Sequence, residues 1–170
     1  RITLQFFTLV MVFTALAIGV QAQCTINTSD SVAGITPFPF PNGQEGPGAA
    51  YNETFQIYVP TDTLINLGGP VVPATVNYFK LTGQIGLPAG FTIACNPGSC
   101  QFNGGTHGCA VISGPTPLGS AGDYPFKIVF EFSATLPVFP YLVVVTDSIS
   151  DTFTIDPVCT FTTVDTIPGI

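Results

Sequence analysis

The fold is decided by residues 123–133, which read DYPFKIVFEFS. Apolar side chains occupy every second position of this stretch: Tyr124, Phe126, Ile128, Phe130 and Phe132. Side chains along a β-strand point alternately to its two faces, so a period of two places one apolar face against a core. The stretch therefore predicts a half-buried β-strand.

The same pattern extends in both directions along the chain. Residues 51–59 and 151–155 alternate in the same way, and residues 71–81, 91–95 and 109–113 are further β-rich runs between Pro/Gly turns. Residues 141–146 are a continuous apolar run, which is typical of a strand buried on both faces. No helical period occurs after residue 22. We therefore predict an all-β, antiparallel β-sandwich of about seven strands over residues 51–156.

The composition supports a packed core and excludes some partners. Hydrophobic residues make up 46% of the chain and charged residues 8%, which is typical of a globular domain rather than a disordered one. The formal net charge is −7, and Lys80 and Lys127 are the only basic side chains after residue 22. Binding to a nucleic-acid backbone or to an anionic membrane requires several Lys or Arg. Neither partner is expected.

The amino terminus has the features of an export signal. Arg1 precedes an apolar run over residues 2–20, and Val20-Gln21-Ala22 resembles a cleavage site. We predict a signal-peptide helix over residues 1–22, cleavage after Ala22, and a secreted protein that is not inserted in the membrane. A retained transmembrane anchor is one alternative; acylation of Cys24 is another, disfavoured by Gln23.

Segments of different composition flank the predicted sandwich. Residues 23–50 form a Pro/Gly-rich lead-in with at most one short edge strand, and residues 157–170 begin a linker or a next segment.

All five cysteines follow the predicted cleavage site: Cys24, Cys95, Cys100, Cys109 and Cys159. Export makes disulfide bonds the expected state. We favour a bond from Cys95 to Cys109, which would close the loop between them, and then one from Cys24 to Cys159, although sequence does not fix connectivity. A zinc site of Cys95, Cys100, Cys109 and His107 is the alternative, but the spacings lack paired C-x2-C units.

Three motifs resemble a known family. LPAGFTI (residues 87–93), VISGPTP (111–117) and AGDY (121–124) resemble the Ig-like and dystroglycan-type cadherin-like modules of bacterial surface proteins, including type IX secretion cargo. The resemblance covers about residues 43–155, and GPTP replaces the family's GTPT. It implies an Ig-like sandwich that acts as a spacer or cell-adhesion module, with an unknown protein or glycan partner at the cell surface.

The same resemblance implies a calcium site. Asp147 and Asp151 resemble the family's acidic residues after the penultimate strand, and Asp62 stands where a denser acidic stretch is expected. Calcium takes six to eight oxygen ligands, and this chain offers few carboxylates. The alternative is that Asp147 and Asp151 cap their own backbone in turns.

The sequence does not predict an enzyme or a bound cofactor other than calcium. The only histidine, His107, lies in a Gly-rich loop, and no serine has the Gly-x-Ser-x-Gly context of a hydrolase nucleophile. Tyr58 and Tyr78 are candidates for stacking on a sugar, although alternation favours a core role for most aromatic residues. We predict a non-catalytic structural or adhesion module; the alternative is an accessory domain that binds a glycan or calcium.

Overall fold

The computed structural model describes residues 24–66, 68–137 and 141–158. The predicted signal peptide and most of the predicted C-terminal segment lie outside these ranges. These ranges contain ten strands: β1 (Gly34–Thr36), β2 (Gly43–Gln44), β3 (Ala50–Val59), β4 (Asp62–Asn66), β5 (Val71–Ile85), β6 (Thr92–Asn96), β7 (Gln101–Asn103), β8 (Thr106–Pro115), β9 (Gly122–Leu136) and β10 (Tyr141–Asp156). No helix occurs in the described ranges, so none there is a candidate to span a membrane.

The strands form two sheets. The four-stranded sheet has the order β1-β3-β8-β6. The six-stranded sheet has the order β2-β10-β9-β5-β4, and β7 pairs with β5 beside β4. All pairs are antiparallel except β2 with β10. The prediction of an all-β fold is confirmed.

One apolar core lies between the two sheets. The four-stranded sheet contributes Phe55, Ile57, Ala110 and Ile112, and the six-stranded sheet contributes Val76, Phe126, Ile128, Phe153 and Ile155. These residues sit at every second position of their strands, so the period of two in the sequence is the alternation between core and surface. Two sheets that bury their inner faces against each other form a β-sandwich, as predicted.

Two glycines in β8 make room for aromatic rings of the core. A Cβ atom on Gly108 would lie 2.2 Å from the ring of Phe102, and one on Gly114 would lie 2.2 Å from the ring of Phe91. Glycine inside a strand marks such a close approach. Both the Gly108 contact and Phe102 belong to residues 96–108, which the sequence predicts to be a loop. This segment contains β7 and the start of β8, and Phe102 is almost fully buried.

The predicted boundaries need correction at two further places. Residues 23–50 contain two short strands, β1 and β2, and not one at most. The runs 141–146 and 151–155 belong to one strand, β10, which pairs with β9 without a register shift from Tyr141 to Ile155. The run 141–146 is also not buried on both faces, since Leu142 and Val144 are exposed. Asp147 and Ser148 do not end the strand, since they pair with Phe130 and Val129 of β9 in the same register.

Candidate functional site

The most distinctive feature of the surface is a strap formed by residues 24–30, which crosses the outer face of the four-stranded sheet before β1. Cys24 is buried and is disulfide-bonded to Cys109 of β8, with 6.0 Å between the Cα atoms and a sequence separation of 85. Val111 and Ile26 pack against this bond. The strap thus has a small apolar cluster of its own, on the side of the sheet opposite to the main core.

Two amide side chains fasten the strap to the sheet. Gln56 of β3 accepts a hydrogen bond from the backbone N–H of Asn27 at 2.8 Å and donates one to the carbonyl oxygen of Thr25 at 3.1 Å. Asn96 of β6 donates to the carbonyl oxygen of Cys24 at 3.2 Å. The strap is not part of the sheet's strand ladder, so these side chains satisfy backbone groups that would otherwise rely on water.

The single histidine also holds the strap. His107 Nε2 lies 2.7 Å from the carbonyl oxygen of Asp30; because that oxygen only accepts, Nε2 donates. The imidazole stacks on the ring of Tyr58, its register partner on β3, with 4.6 Å between ring centroids and 21° between planes. His107 therefore has a structural role here, and Tyr58 has one ring face covered by it.

The disulfide pairing differs from both predicted bonds. Asn96 is the register partner of Cys109 and Ala110 is the partner of Cys95, so the side chains of Cys95 and Cys109 point to opposite faces of the sheet. Cys95 faces the main core and is bonded to Cys100, and Cys109 faces the strap and is bonded to Cys24. The predicted Cys95–Cys109 bond is wrong.

The same bonds settle two further predictions. A bond from Cys24 to Cys159 is wrong because Cys24 is joined to Cys109; Cys159 itself lies outside the described residues. The alternative zinc site is also contradicted, since all three of its cysteines are in disulfide bonds. A one-residue difference in register, which the sequence does not reveal, decides which cysteines face each other.

The three candidate calcium ligands are not brought together. Asp62 lies on β4 and Asp147 and Asp151 lie on β10, and β5 and β9 separate these strands. Three strand spacings amount to about 14 Å, and four residues along β10 separate Asp147 from Asp151 by about 13 Å. In the described ranges, no three His, Cys, Asp or Glu side chains form a group suited to a metal ion.

These carboxylates instead bond the protein itself. Asp147 and Asp151 accept from the backbone N–H of the next residue at 2.7 and 2.8 Å, and Asp151 also accepts from the N–H of Phe40 at 2.9 Å. Asp62 accepts from the hydroxyl of Thr75 at 3.0 Å. Asp147 and Asp151 thus bond backbone groups as the alternative predicted, but they lie within β10, so the prediction that they are turn residues is wrong.

Tyr58 and Tyr78 do not share a binding surface. Tyr58 lies on the outer face of the four-stranded sheet, since it alternates with the buried Ile57 and Val59. Tyr78 lies on the outer face of the six-stranded sheet and donates a hydrogen bond to Glu131 at 2.7 Å. That hydrogen bond is the main cause that raises the pKa of Tyr78. The two rings are therefore on opposite sides of the sandwich.

One cleft opens between the two sheets beside β1. Its volume is about 270 Å³, and its walls are mostly apolar, with Ile35 and Ile57 on one side and Val76, Phe132 and Ile149 on the other. Among its described lining residues, no side chain is a carboxylate, an amine, an imidazole or a thiol. The cleft can therefore accept a small apolar group but offers no acid–base pair.

No protein-family model, no curated protein and no solved structure matches this chain. The strap and the cleft are consequently assigned from this structure alone. The described residues form an all-β sandwich with two intramolecular disulfides, one of which fixes the strap to the outer face of the smaller sheet.

Proposed function

We propose that this chain is a non-catalytic extracellular module, of Ig-like or cadherin-like type, with a structural or adhesive role in a secreted or cell-surface bacterial protein. The observation that carries the proposal is the strap: a buried Cys24–Cys109 bond and side-chain hydrogen bonds from both β3 and β6 hold it against the sheet. Such bracing resists unfolding, which is what a structural module under mechanical load requires.

The disulfides support an extracellular location. Structural disulfides form and persist in oxidising compartments and are rare in reducing ones. Both bonds join cysteines within one domain, and Cys24 and Cys109 are buried. These features agree with export of the chain by its predicted signal peptide.

The use of polar side chains supports a non-catalytic role. Every buried side-chain nitrogen and oxygen atom in the described ranges has a hydrogen-bond partner. His107, Asp151 and Tyr78 each bond a backbone or side-chain group of the protein itself. A general base or nucleophile must instead be positioned to contact a substrate, next to a group that orients it.

Single-molecule force spectroscopy tests the structural role. When the chain is pulled from its two ends, the intact Cys24–Cys109 bond, with its sequence separation of 85, withholds the chain between the two cysteines from extension. At about 3.6 Å per residue, the extended length of the oxidised chain should be shorter than that of the reduced chain by roughly 30 nm. The oxidised chain should also unfold at the higher force, since its strap remains attached.

Two results would contradict the proposal. One is an oxidised chain that unfolds at the same force as the reduced chain, because the strap would then bear no load. The other is a saturable turnover of any substrate by the oxidised chain.

The cleft favours a second candidate function, binding of a small apolar ligand by an accessory domain. Its volume of about 270 Å³ is slightly below the range of common ligand pockets. Ala33 is exposed at its rim, so Ala33→Trp should block it without disturbing the core. We expect a short-chain fatty acid to raise the thermal midpoint of the wild-type chain and not of the variant; equal shifts in both would exclude the cleft.

A further inference from the structure

One long strand edge of the sandwich has no partner in the described ranges. β10 pairs with β9 along one side from Tyr141 to Ile155, but on its other side it pairs only with β2, at Ile155 and Asp156. The backbone groups on that side of the first half of β10 therefore face outward. Such a row of unpaired donors and acceptors is a template for another strand.

The other sheet edges are shorter or carry a charge. β1 has three residues, and β4 and β6 have five residues each. β3 is also open over residues 50–55, because β1 pairs only with its residues 56–58, but this stretch carries the carboxylate of Glu53. Natural proteins protect long edges with lysine, proline, bulges or an inward charge. The segment from Tyr141 to Val145 contains none of these, and its pairing with β9 shows no register shift.

The exposed apolar side chains of β10 are concentrated in this same segment. Tyr141, Leu142, Val144 and Val145 are 66%, 58%, 49% and 44% exposed. Odd-numbered residues share the inner face of the sheet with Phe153 and Ile155, and even-numbered residues lie on the outer face. The edge is thus flanked by apolar side chains on both faces. None of the charges that give the chain its net charge of −7 lies in this segment.

We propose that the residues Tyr141 to Val145 of β10 pair with the same residues of a second copy of this chain, antiparallel, around a two-fold axis at Val143. In this register Tyr141 meets Val145 of the other copy and Leu142 meets Val144. Residues that meet then lie on the same face, as an antiparallel pair requires. The two six-stranded sheets become one continuous sheet.

Size and charge favour a second copy over another partner. Each of the larger side chains, Tyr141 and Leu142, meets a valine, so the segment is complementary to itself. The nearest carboxylate, Asp147, lies beyond the paired residues, which keeps the like charges of the two copies at opposite ends of the ladder. No cationic residue lies in the segment to select an acidic peptide.

The expected dimer is weak. A ladder of five residues buries less than the ~1,000 Å² that stable interfaces exceed, so we expect a dissociation constant on the order of 0.1–1 mM. A two-fold pairing closes on itself, so association should stop at two copies. This self-pairing does not depend on the proposed extracellular role.

Sedimentation analysis of the full oxidised chain over a concentration series tests the proposal. The apparent mass of the wild-type chain should rise from that of one copy towards twice that value. Val144→Lys places a cation in the paired segment and should remove this rise at every concentration. The matched control is Leu64→Lys on β4, the other edge of the same sheet, where Leu64 is 70% exposed; this variant should dimerise as the wild type does.

Hydrogen exchange keeps the proposal testable if Val144→Lys fails to fold. In the wild-type chain, amide exchange of residues 141–145 should slow as concentration rises, while exchange in β4 should not change. The proposal is overturned by a wild-type chain that stays monomeric at 1 mM or grows beyond two copies. It is equally overturned if Leu64→Lys, and not Val144→Lys, abolishes association.

Discussion

Removal of the strap disulfide should cost far more stability than removal of the second disulfide. In the loop-entropy description, a bond that closes 85 residues stabilises the folded state by about 4.6 kcal/mol, and one that closes 5 residues by about 2 kcal/mol. Cys24→Ala/Cys109→Ala should therefore lower the free energy of unfolding by about 4–5 kcal/mol. For a domain of this size the thermal midpoint should fall by roughly 10–18 °C.

The matched control is Cys95→Ala/Cys100→Ala, which removes the short-range bond and leaves the strap attached. Urea unfolding of both variants, in the absence of reductant, gives the two free energies directly from midpoint and slope. The reasoning is refuted if the Cys95/Cys100 variant loses as much stability as the strap variant or more. It is also refuted if the strap variant shows no loss, because the strap would then be attached equally well without its bond.

Three further predictions concern the core and the strap. Gly108→Ala should lower the free energy of unfolding in urea by about 1–3 kcal/mol, since the new Cβ would meet the ring of the buried Phe102. Gly83→Ala places its Cβ in open space and should cost less. Equal costs for the two variants would contradict this packing. Burial raises the pKa of the Tyr51 hydroxyl in the folded state. The contribution of neutral Tyr51 to the free energy of unfolding is therefore full below pH 10, and it falls by up to ~1.4 kcal/mol per pH unit above pH 10. Alkaline titration of stability should show a shallower fall in Tyr51→Phe, and an unchanged slope would refute this. Gln56→Leu removes two hydrogen bonds to the strap and should cost about 1–2 kcal/mol in urea unfolding; no change would show that the disulfide alone holds the strap.

The alternation of apolar residues was sufficient to predict the layers of the fold. Residues 123–133 and 51–59 became the centres of β9 and β3, with Phe126, Ile128, Phe55 and Ile57 in the core as the period of two requires. A local pattern determines which face of a strand is apolar, and the need to bury that face determines that two sheets pack.

Features that depend on neighbours could not be predicted in this way. Whether Cys95 and Cys109 face each other depends on the register between β6 and β8. A change of register by one residue moves every side chain of a strand to the other face. The apolar run 141–146 likewise does not reveal that this part of β10 has a neighbouring strand, β9, on only one of its two sides in the described ranges.

The candidate site was less accessible to sequence reasoning than the fold. Tyr58 and Tyr78 have similar contexts in the sequence but lie on opposite sides of the sandwich. The strap lies in the Pro/Gly-rich segment 23–50, which has no apolar periodicity from which its position could be predicted. Its only signal is Cys24 with polar residues around it, and these acquire meaning only once Gln56 and Asn96 are known to face them.

Disulfide mapping of the unreduced protein tests whether Cys24 fixes the strap to β8. After denaturation without reductant and with thiols blocked, cleavage after Phe102 separates Cys95 and Cys100 from Cys109. Mass spectrometry should then find the peptide of Cys24 joined to that of Cys109, and Cys95 joined to Cys100. A peptide of Cys95 joined to that of Cys109, or of Cys24 joined to that of Cys159, would show that the strap is not fixed to β8 by Cys24.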